Sequence, residues 1–131
     1  MTRDEVLSMP AGREMDGRIA EMVLGARVNR NEAGEPLDFW LRGFLRDLPH
    51  YSTEIAAAWH VVEASAGMVR VCRLWEEDAD PRRFYWLSEL RIAQSSSRTA
   101  TAETPALAIC RAALKATAEA AAYREALLAI A

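Results

Sequence analysis

The stretch MVRVCRLWEEDADPRRFYWLSELRIAQ, from Met68 to Gln94, decides the fold. Two runs rich in β-branched and aromatic residues flank an acidic turn that holds Pro81, which is the pattern of a β-hairpin with its second strand running from Phe84 to Ala93. Side chains alternate along a strand, so Val69, Val71, Arg73 and Trp75 share one face of the first run. In the second run Phe84, Trp86, Ser88, Leu90 and Ile92 share one face, opposite Tyr85, Leu87, Glu89 and Arg91. Both faces carry large apolar groups, which predicts helices over both.

The covering helices are readable on either side. After the hairpin, the polar stretch SSSRTATAE reads as a loop, and Thr104 caps a final helix with Pro105 in its first turn. Before the hairpin, YSTEIAAAWHVVEASAG reads as a helix capped by Ser52, with Ile55, Trp59 and Val62 as its apolar stripe. Nearer the start, Met15, Ile19, Met22 and Val23 recur at helical spacing from Ala11 to Leu24, and Gly25 supplies a stop. Thr2 caps a short helix through Leu7 to Met9, and Pro10 fits a restart. The segment from Ala26 to His50 reads as a loop followed by a short helix or strand around Leu37, Phe39, Trp40, Phe44 and Leu45. The expected architecture is α+β, one domain over residues 1–131: an antiparallel sheet containing a long hairpin, covered by helices as an α/β sandwich.

Composition narrows the function. With 51% hydrophobic and 27% charged residues the chain has the make-up of an ordinary globular domain. MTRDEVLSMPAGRE holds acids and no long apolar run, so neither a signal peptide nor a membrane span is expected, and the cytoplasm is the expected compartment. A formal net charge of −3 argues against duplex DNA or RNA as partner. Cys72 and Cys110 stand apart from any metal-ligand spacing and read as reduced, packed thiols. No cofactor motif is present, neither GxGxxG nor GxxxxGK[ST]. His50 and His60 have no recognisable partner, and Glu76, Glu77, Asp78 and Asp80 read as solvated turn residues. Lacking a nucleophile with a base, the chain is not expected to be an enzyme.

The final helix poses the sharper question. ETPALAICRAALKA, from Glu103 to Ala116, is apolar around most of its circumference, yet Arg111 and Lys115 lie one turn apart and are followed by Glu119. Like charges at that spacing repel by a few tenths of a kcal/mol, about 0.2–0.5. Two readings stand: a structural ion pair with a strand residue such as Glu89, or a site for a bound anion. The hairpin aromatics are open in the same way, as core or as a surface on which a nucleobase stacks.

Three blocks, AGREMDGRIAEMVLG, YSTEIAAAWHVVE and TPALAICRAALKA, together resemble the phage ABA sandwich domain family. The resemblance implies an antiparallel sheet with helices packed on it. It also implies kinship with phage sponges that counter Thoeris defence by binding cyclic ADP-ribose isomers, and in some cases cyclic oligonucleotides, without degrading them. On that reading Arg111 and Lys115 hold phosphate and Phe84 or Trp86 stacks on the base. The candidate ligand-binding set is then Arg111, Lys115, Phe84, Trp86, Arg91 and Thr104, with a cyclic nucleotide as partner. The alternative is an accessory protein that binds a host or phage protein through PLDFWLRGFL. Trp40, Phe44 and Leu45 in that segment also lead us to expect a homo-oligomer.

Overall fold

The computed structural model describes residues 3–78, 81, 83–92 and 97–130. The Thr2 cap, Ala93 and Asp80 of the acidic cluster lie outside the described residues. Two helical pieces open the chain: α1 (Arg3–Ser8) and α2 (Arg13–Arg18), the latter running into a π-helical turn over Ile19–Val23. Met15, Ile19 and Ala20 are buried there, as the apolar spacing requires.

The segment expected to be a loop with one short element is a three-stranded antiparallel meander, β1 (Arg27–Arg30), β2 (Pro36–Leu41) and β3 (Phe44–Asp47). Its second turn is only two residues long. Arg42 and Gly43 take φ of 53° and 82°, the left-handed pair that matches the twist of a tight hairpin. Trp40 then faces Leu45 across the ladder, and Leu41 faces Phe44. Of the apolar cluster only Phe39 is buried; Trp40, Phe44 and Leu45 are exposed. The meander meets α2 at Gly17, where a Cβ would lie 3.0 Å from the ring of Pro36, so a side chain there would push that ring back by a few tenths of an ångström. Arg30 reinforces the junction by bonding Glu21 at 2.6 Å and Glu14 at 3.0 Å.

The second sheet contains the expected hairpin. Strand β4 (Ala66–Trp75) pairs with β5 (Phe84–Ile92), with Trp75 facing Phe84 and Val71 facing Ser88. A third strand, β6 (Arg98–Ala102), pairs with β5 where a polar loop was expected. Its alternation of Thr99 and Thr101 with Ala100 and Ala102 puts the two alanines in the core and both threonines in solvent. Helix α3 (Ile55–Ser65) and the long helix α4 (Pro105–Ile130) complete the fold. Thr104 caps α4 as expected, its hydroxyl accepting the Leu107 N–H at 3.2 Å.

Helix α4 is the centre of the core. From Ala106 to Ala116 every residue except Arg111 and Lys115 is buried, because β5 and β6 cover one side while α3, α1 and the π-helical turn lie against others. Two expectations change accordingly. The described helices cover one face of the hairpin, that of Ser88 and Leu90; the other, with Arg70, Cys72, Tyr85 and Arg91, is open to half-buried. And α3 turns Ala57, Ala58, Val61 and Val62 inward, leaving Ile55 and Trp59 exposed, since small side chains let it approach α4 closely.

Ser52 does not cap α3. It is wholly buried, and its hydroxyl donates to Asp16 Oδ1 at 2.7 Å and accepts the Gly12 N–H at 2.9 Å. Asp16, equally buried, also accepts the Ser52 N–H at 2.8 Å and a bond from Arg13 at 3.1 Å. Arg13 continues to the Leu48 carbonyl at 2.7 Å. Burial first, and then the Asp16 charge, push the neighbouring Tyr51 hydroxyl up to about 12 and the Cys110 thiol higher than its ordinary value.

Asp16→Ala strips acceptors from buried N–H and O–H groups, and a loss of about 3 kcal/mol is expected in chemical denaturation. Asp16→Asn, which keeps Oδ1, should lose less. Among the described residues the buried Ser88 hydroxyl has no partner, so Ser88→Ala should leave stability unchanged or raise it. A raised folded value means that the Tyr51 contribution is complete below pH 10, the ordinary tyrosine range, and disappears as pH climbs through about 12. Denaturation midpoints should fall over that window, and Tyr51→Phe should flatten the fall.

Candidate functional site

The hydrogen-bond parity of the second sheet explains why α4 carries two cations. The Glu76 N–H donates to the Arg83 carbonyl at 2.9 Å, which makes that pair a bonded one at the head of the hairpin. In an antiparallel ladder bonded and non-bonded pairs alternate, so Tyr85, Leu87 and Glu89 bond β4 while Trp86, Ser88 and Leu90 bond β6. Their β6 partners are Ala102, Ala100 and Arg98. Thr99 and Thr101 therefore turn their carbonyls out of the sheet, along the edge of β6.

Those are the carbonyls that the cations meet. Arg111 Nη1 donates to the Thr101 carbonyl at 3.0 Å and Nη2 to the Met9 carbonyl at 3.0 Å, while Lys115 Nζ donates to the Thr99 carbonyl at 3.1 Å. One helical turn separates the cations and two residues separate the carbonyls, and these rises are comparable, about 5.4 Å and about 6.7 Å. Of the two readings of these cations, the ion pair with Glu89 is not formed. Glu89 faces Arg70 at 3.6 Å on the outer side of the sheet, and Glu119 pairs with Arg98.

Arg111 also lines an open pocket of about 660 Å³, together with Glu76, Arg83, Phe84, Tyr85, Thr101, Ala102 and Glu103. Phe84 is half exposed, and the Arg73 guanidinium lies over its ring at 4.1 Å from the centroid. The pocket is thus lined by two arginines, two aromatic residues and two glutamates, with Phe84 and Tyr85 on opposite faces of β5. Because Arg111 is tethered to Thr101 and Met9, its charge is fixed at the pocket wall without needing a ligand to hold it there. Its Nε is buried and unpartnered among the described residues.

Of the six residues singled out from the sequence, Arg111 and Phe84 meet in this pocket. Trp86 is half-buried against the core, and Thr104 is engaged in capping. Lys115 lies a turn beyond Arg111, over Thr99. Arg91 pairs in register with Met68, at the opposite end of β5 from Phe84 and on the other face of the sheet. Arg83 was missed; its position one residue before the aromatic run was the available signal. Among the described residues no group of His, Cys, Asp and Glu is placed to hold a metal ion, and no helix is long and apolar enough to cross a membrane.

A phage protein from Bacillus cereus ATCC 14579, known from a 2.0 Å crystal structure, has a similar fold: the match covers 83% of this chain and 93% of that one at a TM-score of 0.58, with 24% sequence identity. No curated protein matches in sequence. The family model for the phage ABA sandwich domain matches residues 18–114, which takes in the π-helical turn, both sheets, α3 and most of the buried part of α4. With that match spanning most of its length, the chain belongs to the phage ABA sandwich domain family.

Proposed function

We propose that this phage protein binds a cyclic nucleotide signal, a cyclic ADP-ribose isomer or a cyclic oligonucleotide, and sequesters it without cleaving it. The observation that carries the reading is that Arg111, Arg83, Phe84 and Tyr85 all line one open pocket of about 660 Å³. That volume lies within the range of small-molecule sites, about 300–1,000 Å³. A guanidinium presents paired donors that match phosphate oxygens, and an aromatic ring accepts any base through its π face. Arg111 and Arg83 serve as the phosphate contacts, and Phe84 or Tyr85 serves as the stacking platform. Glu76 and Glu103 oppose phosphate, and their carboxylates suit ribose hydroxyls and base N–H donors instead. Sequestration of an immune signal would make the protein an anti-defence factor in the infected cell.

A second reading rests on Trp40 and Leu45, exposed and facing each other across the β2–β3 ladder with Phe44 exposed on the other face at the hairpin end, where they suit an apolar patch on a host or phage protein.

Calorimetric titration with cyclic ADP-ribose isomers and cyclic oligonucleotides separates the two. Binding should be saturable, and chromatography after heat denaturation should return the ligand intact. Arg83→Ala removes an exposed charge and should weaken binding roughly ten- to a hundredfold, equivalent to about 1.5–3 kcal/mol, while apo stability stays the same. Arg111→Ala should weaken binding comparably and also destabilise the apo fold by about 2 kcal/mol, because two backbone carbonyls lose a charged donor. Absence of binding to every cyclic nucleotide, with Trp40→Ala abolishing capture of a defined protein partner, would favour the second reading.

A further inference from the structure

The two edges of the second sheet are treated differently. At the β6 edge the outward carbonyls of Thr99 and Thr101 are closed by Lys115 and Arg111. At the other edge stands β4, ten residues long and terminal in the strand order. The parity set by the Glu76 to Arg83 bond turns the even-numbered residues of β4 toward β5, so Val69, Val71 and Arg73 point their N–H and C=O groups away from the sheet. Among the described residues these groups have no partner. A long strand edge left open is a template for another strand.

The usual devices that blunt such an edge are missing from Met68 to Trp75. There is no proline in that run, and the only register shift lies between Ala66 and Met68. Its two arginines are drawn back over their own sheet, Arg73 onto Phe84 and Arg70 toward Glu89. Neither is held across the edge.

We propose that β4 pairs antiparallel with β4 of a second copy about a two-fold axis at Cys72, joining two three-stranded sheets into one of six strands. Two-fold pairing places residues of the same face opposite each other, which requires an axis on a residue of the strand rather than between residues. Centring on Arg73 sets the two arginines directly opposite, a repulsive pair. Centring on Val71 brings Arg70 no carboxylate from the partner, to add to its own Glu89. With the axis at Cys72, Val69 faces the partner's Trp75, a favourable β-branched and aromatic pair, and Arg70 gains the partner's Glu76 as a diagonal neighbour. Half-exposed Trp75 is thereby covered. Val69, Val71 and Arg73 exchange the main-chain bonds, and Cys72 meets the partner's Cys72 at a non-bonded position, where Cα atoms approach to about 4.5 Å, within disulfide reach.

Light scattering on the full chain at micromolar concentration should give twice the 14.6 kDa chain mass. Val71→Pro removes an outward N–H while sparing the bonds to β5, and should halve that mass with the circular dichroism spectrum retained. Mild oxidation should link wild type into a covalent dimer, as it should Cys110→Ser, but not Cys72→Ser. If Val71→Pro fails to fold, the oxidation result alone decides. A monomeric mass for wild type overturns the proposal. So does a dimer that forms no Cys72 link, which would place the contact elsewhere, for instance at Trp40, Phe44 and Leu45, and so does an edge occupied only by an extended segment of another protein.

Discussion

The enclosure of α4 is the constraint on which the rest depends. A helix buried on several sides at once has to be narrow, and the run from Ala106 to Ala116 is built largely of alanine, with Leu107, Ile109, Cys110 and Leu114 as its larger members. Alanine costs the least conformational entropy in a helix and lets flanking layers come close. Within such a run a long cationic side chain has only one way out, sideways past the edge of the sheet. Arg111 and Lys115 take it, and the carbonyls of an edge strand are what they find there.

This arrangement links core packing to the properties of the surface. The same two side chains that relieve α4 of buried charge also close the β6 edge, leaving β4 as the strand with an open ladder. The tether of Arg111 to Thr101 and Met9 joins α4, β6 and the end of α1, and it fixes a guanidinium at the wall of the pocket beside Phe84. A group held in place before a ligand arrives gives up less entropy on binding, so a structural role and a binding role for Arg111 reinforce each other.

The helical layer has its own polar anchor. Asp16 and Ser52 are buried together and satisfy one another and the Gly12 amide, so the start of α2 is tied to the turn that leads into α3. A charge in that position is tolerated because Arg13 and two donors from Ser52 reach it. Tyr51 and Cys110 lie near enough to feel it, and both are held neutral far above their ordinary range. Geometry of this kind depends on residues from distant parts of the chain meeting with the right orientation, which confers specificity on the packing of two short helices that would be marginal alone.

By itself the sequence determined the elements whose signals are local. The hairpin from Met68 to Trp75 and from Phe84 onward follows from alternation, the α4 start from Thr104 and Pro105, and the first helical stripe from the spacing of Met15, Ile19 and Met22. Only the tertiary structure decided the partners. Strand β6 was missed because its alternating threonine and alanine carry little hydrophobic contrast until α4 buries the alanines. The meander was missed because its turn depends on Arg42 adopting a left-handed backbone, which arginine does not announce. Ser52 looked like a cap because caps are local, whereas its partner Asp16 lies 36 residues away. For Arg111 the sequence offered a carboxylate or an anion, and the fold supplied backbone carbonyls: a main-chain acceptor has no residue type, so its position is known only once strand order and hydrogen-bond parity are known.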